Sequence, residues 1–275
     1  MNQTQDEKSQ LVEELAAALE QLRHTRPLVH NITNMVVMND TANILLHIGA
    51  SPVMAHAREE VEEMVSLAGA LVLNIGTLTP DLVESMLVAG KKANQLGVPV
   101  ILDPVGAGAT RLRTESSLQI LDAVRVTILR GNSAEIGVLA GYNAKVRGVD
   151  AVESGGEPVS IARRAARKFG LTVAITGKQD VISDGERVVL VDNGHEMMGG
   201  LTGTGCMSTA LIGAFTAVAL DPVMAAAAAL VAFGVAGEAA AKRSLLPGSF
   251  KAALFDEIYS MTPDRIREEA KVSTI

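Results

Sequence analysis

Between residues 51 and 176 the chain alternates short, almost uniformly apolar runs with longer segments whose apolar positions recur every three to four residues. The short runs, Ser51–Ala55, Ala70–Ile75, Pro99–Leu102, Arg125–Leu129 and Thr172–Thr176, predict strands. The longer segments, beginning near Ala57, Pro80, Glu115, Ser133 and Pro158, predict helices. Strands without polar alternation are buried on both faces, which is what crossover helices on a parallel sheet require. The expectation is an α/β fold of three layers, a mostly parallel central sheet flanked by helices.

After Thr176 the pattern changes. Asp180–Ser183 and Arg187–Asp192 flank Asp184-Gly185, which predicts a two-residue hairpin turn and an antiparallel edge. From Cys206 onward the periodicity is helical, over Cys206–Leu220, Val223–Arg243, Ser249–Tyr259 and Thr262–Ala270, with Pro247-Gly248 as a breaker. At the other end, Met1 to Arg26 is acidic and periodic and reads as an amphipathic helix, not as a basic, then apolar leader. The Gly-containing loop Tyr142–Pro158 reads as a solvated crossover. No linker or repeat interrupts the pattern, so 1–275 reads as a single domain.

Composition narrows the partners. Hydrophobic residues make up 48 % of the chain and charged ones 20 %, enough apolar material for a large core. A net charge of -7 argues against nucleic acid as a partner. It also means that a polyphosphate would have to be held by local features rather than by overall charge. Cys206 is the only cysteine, which excludes an intrachain disulfide and a cysteine-rich zinc site and fits a reducing, cytoplasmic location. The sequons at Asn2 and Asn31 are then not glycosylation sites. The apolar stretches Cys206–Leu220 and Val223–Gly237 are each shorter than the roughly 20 residues that span a bilayer, and Asp221-Pro222 separates them. They read as buried helices, with no membrane involved.

In open parallel sheets ligands bind beyond the carboxyl ends of the strands. There the chain places Asn74-Ile75-Gly76-Thr77, Asp103-Pro104-Val105-Gly106-Ala107-Gly108, Arg130-Gly131-Asn132 and Thr176-Gly177-Lys178. The stretch Gly199-Gly200-Leu201-Thr202-Gly203-Thr204-Gly205 runs directly into the helix at Cys206. Free backbone N–H groups and the positive end of a helix dipole then meet at one point, an anion site. It is not a P-loop, because Cys206-Met207 stands where Lys and Ser or Thr belong. Nor is it a dinucleotide fingerprint, because Ser208 takes the place of the third glycine. Asn132-Ser133-Ala134-Glu135 opens another helix, where capping alone would explain the residues. Arg130 just before it adds a cation where a phosphate could sit.

An Asn-x-x-Glu in mid-chain together with a Gly-rich turn opening a late helix resembles the ribokinase-like superfamily of small-molecule kinases. Within it, His30-Asn31-Ile32-Thr33-Asn34, Gly49-Ala50-Ser51-Pro52-Val53-Met54, Asn74-Ile75-Gly76-Thr77-Leu78, Leu102–Gly108, Arg130–Glu135 and Gly203-Thr204-Gly205-Cys206 resemble the hydroxyethylthiazole kinase family of thiamine biosynthesis, over about Pro27 to Tyr259. The resemblance implies ATP-dependent phosphorylation of a thiazole alcohol. It implies that Met54 and Gly203 contact that alcohol, that Arg130 and Thr176, with Asn132, contact ATP, and that Asp103 and Glu135 help hold Mg²⁺ directly or through water. It further implies a homotrimer with pockets between subunits, to which Asn31 and Met35 of a neighbour contribute. The turn Gly203-Thr204-Gly205 would stabilise the transferring phosphoryl group. Many ribokinase-like enzymes carry an aspartate base where this chain has Cys206. A thiolate base and a small, weakly polar wall residue both remain open readings of that thiol. Another vitamin-precursor alcohol, a hydroxymethylpyrimidine or pyridoxal, and a non-catalytic nucleotide-binding protein are the alternatives.

Overall fold

The computed structural model describes residues 3–142, 156–219 and 221–275. Most of the loop expected over Tyr142–Pro158 lies outside the described residues, as does Asn2. The helix α1 (Gln3–Thr25) leads into β1 (Leu28–Ile32), α2 (Met38–Ile48), β2 (Ser51–Val53), α3 (Val61–Leu67), β3 (Ala70–Asn74), α4 (Pro80–Leu96), β4 (Val100–Asp103), α5 (Arg111–Ala123), β5 (Ile128–Gly131) and α6 (Ser133–Ala140). Then follow α7 (Gly156–Phe169), β6 (Thr172–Ile175), β7 (Asp180–Ser183), β8 (Val188–Val191), α8 (Thr204–Thr216), α9 (Pro222–Arg243), α10 (Pro247–Tyr259), α11 (Pro263–Glu269) and β9 (Val272–Thr274).

The strands form one nine-stranded sheet in the order β2-β1-β3-β4-β5-β6-β7-β8-β9. The pairs from β2 through β6 are parallel, and β6-β7, β7-β8 and β8-β9 are antiparallel. Alternate residues of the strands feed two cores. Val29, Val72, Ile101, Ile128 and Ala174 face the layer of α1, α2, α8, α9 and α10. Leu71, Leu73, Val100, Leu102, Leu129 and Val173 face the layer of α3 to α7. The expected three-layer fold is present.

Local signals set the helix ends. Thr79 caps α4 by accepting from Leu82 N–H, Pro80 fills its first turn, and Gly97 closes it in the left-handed region. Asp221 and Pro222 open α9 in the same way. α9 has 22 residues and is long and apolar enough to cross a bilayer, yet 83 % of its apolar window is buried inside the fold. Its alanines let neighbouring helices approach closely, which is where that apolar surface goes.

Three expectations need correction. The loop between β7 and β8 is Asp184–Arg187, longer than a two-residue hairpin, because Asp184 Oδ1 accepts from the backbone N–H of Glu186 and Arg187 and Gly185 takes φ +100°. The C-terminal antiparallel edge is β9 rather than β8. β1 and α2, which the apolar pattern did not mark, are integral, with β1 between β2 and β3.

Candidate active site

The carboxyl ends of the parallel strands form one rim. Along it stand Met54 after β2, Asn31 and Asn34 in and after β1, Asn74 on β3, Asp103 on β4, Arg130 on β5 and Thr176 after β6. α8 points its N-terminus at the middle of this row. Gly203 is its N-cap at φ +89°, a conformation that only glycine adopts without strain. The first amide bonded within α8 is that of Met207, to Gly203 O at 2.8 Å. The N–H groups of Thr204, Gly205 and Cys206 precede it and have no acceptor in the helix. The Thr204 hydroxyl donates to Met198 O at 3.0 Å and pins the turn.

Asp103, Arg130, Thr176, Gly205 and Cys206 converge. Asp103 is fully buried, and its Oδ2 accepts from Asn74 Nδ2 at 2.9 Å and from Thr209 Oγ1 at 2.7 Å. Arg130 Nη1 lies 3.6 Å from the same oxygen, and Arg130 Nη2 donates to Thr176 Oγ1. A Cβ on Gly205 would stand 2.6 Å from Arg130 Nη1, so glycine is what lets the guanidinium lie flat against the first turn of α8. Asn34 Nδ2 donates to Asn74 Oδ1 at 2.8 Å and reaches Cys206 Sγ at 3.5 Å.

The electrostatics follow from burial. Loss of hydration pushes the Asp103 carboxyl up to about 6, against the pull of Arg130 and the Thr209 bond and with the negative charge of Glu135 adding to the push. Burial and then the charge of Asp103 push the Cys206 thiol up to about 11, outweighing its bonds from Asn74 and Asn34 and the nearby Arg130. A helix N-terminus usually favours a thiolate. Here burial, reinforced by the negative charge of Asp103, outweighs that effect and favours the protonated thiol at neutral pH.

Asn132 and Glu135 do what capping residues do. Asn132 Oδ1 accepts from Glu135 N–H and Glu135 Oε2 accepts from Asn132 N–H, both at 2.9 Å. Glu135 Oε1 also accepts from Gly106 N–H at 2.7 Å, tying α6 to the loop after β4. Asn132 is exposed and stands outside the converging group.

Among the described residues no group of three or more His, Cys, Asp or Glu could hold a metal ion. The rim offers two carboxylates, Asp103 and Glu135. Asp103 Oδ1 is buried and without a hydrogen-bond partner, an orphaned hard oxygen. Mg²⁺ draws most of its ligands from water and phosphate and needs only one or two carboxylates. This donor set fits such an ion and does not fit a cation held wholly by protein.

A cleft of about 880 Å³ opens beside the group, lined by Arg130, Thr176 and Gly205 of the group and also by Asn193, Leu230 and Phe233. Lys178 and the partly buried Asp180 also face it. Burial pushes the Asp180 carboxyl up to about 7, only partly offset by the Gly177 N–H that it accepts. Met54, Asn31 and Met35 do not line this cleft. Asn31 is buried within β1, its amide donating to Val29 O at 2.9 Å, whereas Met35 is 69 % exposed.

The sequence placed Asn74 at a strand end where ligands bind, but it did not mark Thr209 or Arg113 as functional. Arg113 donates to Val105 O at 2.6 Å, to Gly76 O at 2.5 Å and to Ile75 O at 3.3 Å, fastening the loops after β3 and β4 together. Thr209, four residues along α8 from Gly205, was legible as a helical neighbour of the turn. Arg113 carried no local signal.

The sequence model of the hydroxyethylthiazole kinase family matches residues 19–264. A relative from Methanocella arvoryzae, itself named hydroxyethylthiazole kinase, is 57 % identical over 258 residues, 94 % of this chain and 97 % of its own length. The solved structure of a hydroxyethylthiazole kinase protein from Pyrococcus horikoshii OT3 superposes with a TM-score of 0.88 at 50 % identity, covering 95 % of this chain and 98 % of that one. A ribokinase-like superfamily protein from Enterococcus faecalis V583 shares the fold, with a TM-score of 0.62 at 14 % identity over 86 % of this chain and 87 % of its own. A rim of Asp103, Arg130 and Thr176 facing the free amides of α8, on a ribokinase-like sheet, is thus found in a chain that belongs to the hydroxyethylthiazole kinase family.

Proposed function

We propose that the chain transfers the γ-phosphoryl group of ATP to the hydroxyl of 4-methyl-5-(2-hydroxyethyl)thiazole, a step of thiamine biosynthesis. The observation that carries this reading is the set of free amides at Thr204, Gly205 and Cys206 lying against the Arg130 guanidinium. Donors in this arrangement suit the equatorial oxygens of a phosphoryl group in transit. ATP fills the cleft with its phosphates toward Arg130 and Thr176. Mg²⁺, when bound, neutralises charge on the phosphate oxygens, held by Asp103 and Glu135 directly or through water.

The alcohol oxygen forms the new P–O bond as the bond from the γ-phosphorus to the β-bridging oxygen breaks, and ADP leaves with that electron pair. In a loose transition state the attacking hydroxyl keeps most of its proton until late and then releases it to an oxygen of the transferred phosphoryl group, from which it passes to solvent. A strong base is then unnecessary, and the protonated thiol of Cys206 serves as a wall that fixes the acceptor. Met54, Gly203 and, from a neighbouring subunit, Met35 form the acceptor site in a cytoplasmic homotrimer, while Asn31, buried within β1, holds the strand end from which the Met35 loop departs. The exposed side chains of Met35 and Val36 support that arrangement, since apolar groups beside a rim favour coverage.

The test is to mix the full chain with MgATP and a panel of alcohols and to follow ADP and phosphorylated product. Product from the thiazole alcohol in preference to hydroxymethylpyrimidine and pyridoxal is expected. Preference for either of those, or ATP binding with no turnover on any alcohol, sinks the reading.

A further inference from the structure

The stretch 192–200, between β8 and α8, is one wall of the cleft and contributes Asn193, His195 and Met198 to its lining. Apart from a short 3₁₀ turn at Glu196–Gly200 it has no regular structure of its own. Its position is set from behind by one face of α9. Gly234, Gly237 and Glu238 stand at i, i+3 and i+4 and so share that face. A Cβ on Gly234 would come within 2.6 Å of the Asn193 carbonyl, and one on Gly237 would collide with Met198. The wall therefore lies directly on the helix backbone.

Glu238 closes the arrangement. Its Oε1 accepts from Asn193 Nδ2 at 3.1 Å and from Gly194 N–H at 2.9 Å, and its Oε2 accepts from Lys271 Nζ at 2.7 Å. Lys271 immediately precedes β9. Its N–H donates to Asn193 Oδ1 at 2.7 Å, and its carbonyl accepts from Asp192 N–H at 2.9 Å. Asn193 Nδ2 also donates to Glu269 O at 2.9 Å. The buried Asn193 amide is thereby fully occupied by groups from α9 and from the α11–β9 junction, and none of these groups touches the phosphate end of the cleft.

We infer that Glu238, braced by Lys271, is a positioning residue for the nucleoside end of the bound nucleotide, acting through Asn193 and Gly194. The inference rests on the reading of this cleft as the nucleotide site. Preorganising the wall lowers the ordering cost of binding, so its loss appears in nucleotide affinity and not in the transfer step. The Lys271 side chain is 56 % exposed, so removing its ammonium leaves the fold standing.

The experiment measures MgADP affinity by titration calorimetry, with kcat and both KM values, for the full-length wild type, Glu238→Ala, Glu238→Gln, Lys271→Met and Gly199→Trp. A side chain at Gly199 enters open space in the cleft and serves as a plug. Glu238→Ala is expected to weaken MgADP binding and raise the KM for ATP by about tenfold, the scale of losing a charged hydrogen-bond acceptor. It should leave kcat at saturation and the KM for the alcohol within about twofold. Glu238→Gln should recover most of the loss, because the amide oxygen still accepts from Asn193 and Gly194. Unchanged MgADP affinity in Glu238→Ala overturns the proposal, as does a fall in kcat alone or a Gln variant as weak as Ala. Should Glu238→Ala fail to fold, Lys271→Met decides, with a several-fold rise in KM for ATP expected and no change contradicting the proposal. If Gly199→Trp binds MgADP normally, the cleft reading fails and takes the proposal with it. Loss of binding in the plug with none in Glu238→Ala or Lys271→Met refutes the positioning role alone.

Discussion

Asp103 is the buried carboxylate of the converging group, and loss of hydration raises its proton affinity. Its carboxyl lies near 6 in the folded chain against an ordinary value of 3.8, so the folded state binds its proton more tightly than the unfolded state does. A raised folded value means that this group's contribution to stability is fully present below pH 3.8 and is lost as pH rises through about 6. The expected outcome is that the melting temperature of the ligand-free wild type, relative to Asp103→Asn, falls between pH 4 and pH 7 by the equivalent of roughly 2–3 kcal/mol. Parallel pH profiles for the two proteins would contradict the burial argument. Burial first, and the charge of this same carboxylate second, explain why Cys206 does not behave as a helix N-terminus suggests. Composition and position marked the thiol, but its charge state depends on a residue on a strand 103 positions earlier in sequence space, brought alongside only by folding.

At the scale of elements, the six consecutive parallel-sheet strands were legible wherever a run was purely apolar. β1 escaped notice because Leu28–Ile32 contains His30 and Asn31, polar residues that are buried only because His30 Nε2 pairs with Ala55 O at 2.7 Å and Asn31 pairs with its own strand. α2 starts at Met38 with Val37 at its N-cap and no side-chain cap bond, so it lacked a start signal. β9 is too short to show a period and exists through its pairing with β8. The first turn of α6 was legible as a capping box, and its second role was not. Since both Glu135 oxygens accept from backbone N–H groups, Glu135→Gln sets an amide NH2 against one of those donors and should lower the stability of the ligand-free chain by about 1 kcal/mol. It should also raise the Mg²⁺ concentration giving half-maximal rate. Thermal melts and a Mg²⁺ titration check the two effects separately; a destabilised variant with an unaltered Mg²⁺ requirement assigns Glu135 to capping alone.

For the whole molecule, the proposed roles follow the rim order β2-β1-β3-β4-β5-β6, with the proposed acceptor contacts at one side and the proposed nucleotide cleft at the other. Met54 and Met35 lie at the β2–β1 side, away from the cleft, which is the side that a neighbouring subunit would complete. Light scattering is expected to give a trimer for the wild type, and Met35→Glu combined with Val36→Glu to give smaller species with a raised KM for the alcohol. A monomeric wild type with full activity would contradict the shared acceptor site. Function was legible to the extent that it depends on local chemistry, the Gly203–Gly205 turn above all. The supporting residues Arg113 and Glu238 act through partners far away in the chain and no local pattern announces them, whereas Thr209 is legible only as a helical neighbour of that turn.

The central claim is that transfer depends on phosphates held at the α8 N-terminus against Arg130 and not on a thiolate. The most direct measurement is kcat at saturating MgATP and thiazole alcohol for Cys206→Ala beside Gly205→Ala. The account predicts measurable turnover in Cys206→Ala. It predicts a fall of about 10²-fold or more in Gly205→Ala, whose methyl group displaces the guanidinium and disturbs the amide donors. A folded, ATP-binding Cys206→Ala protein with no detectable turnover, next to an active Gly205→Ala, would contradict it.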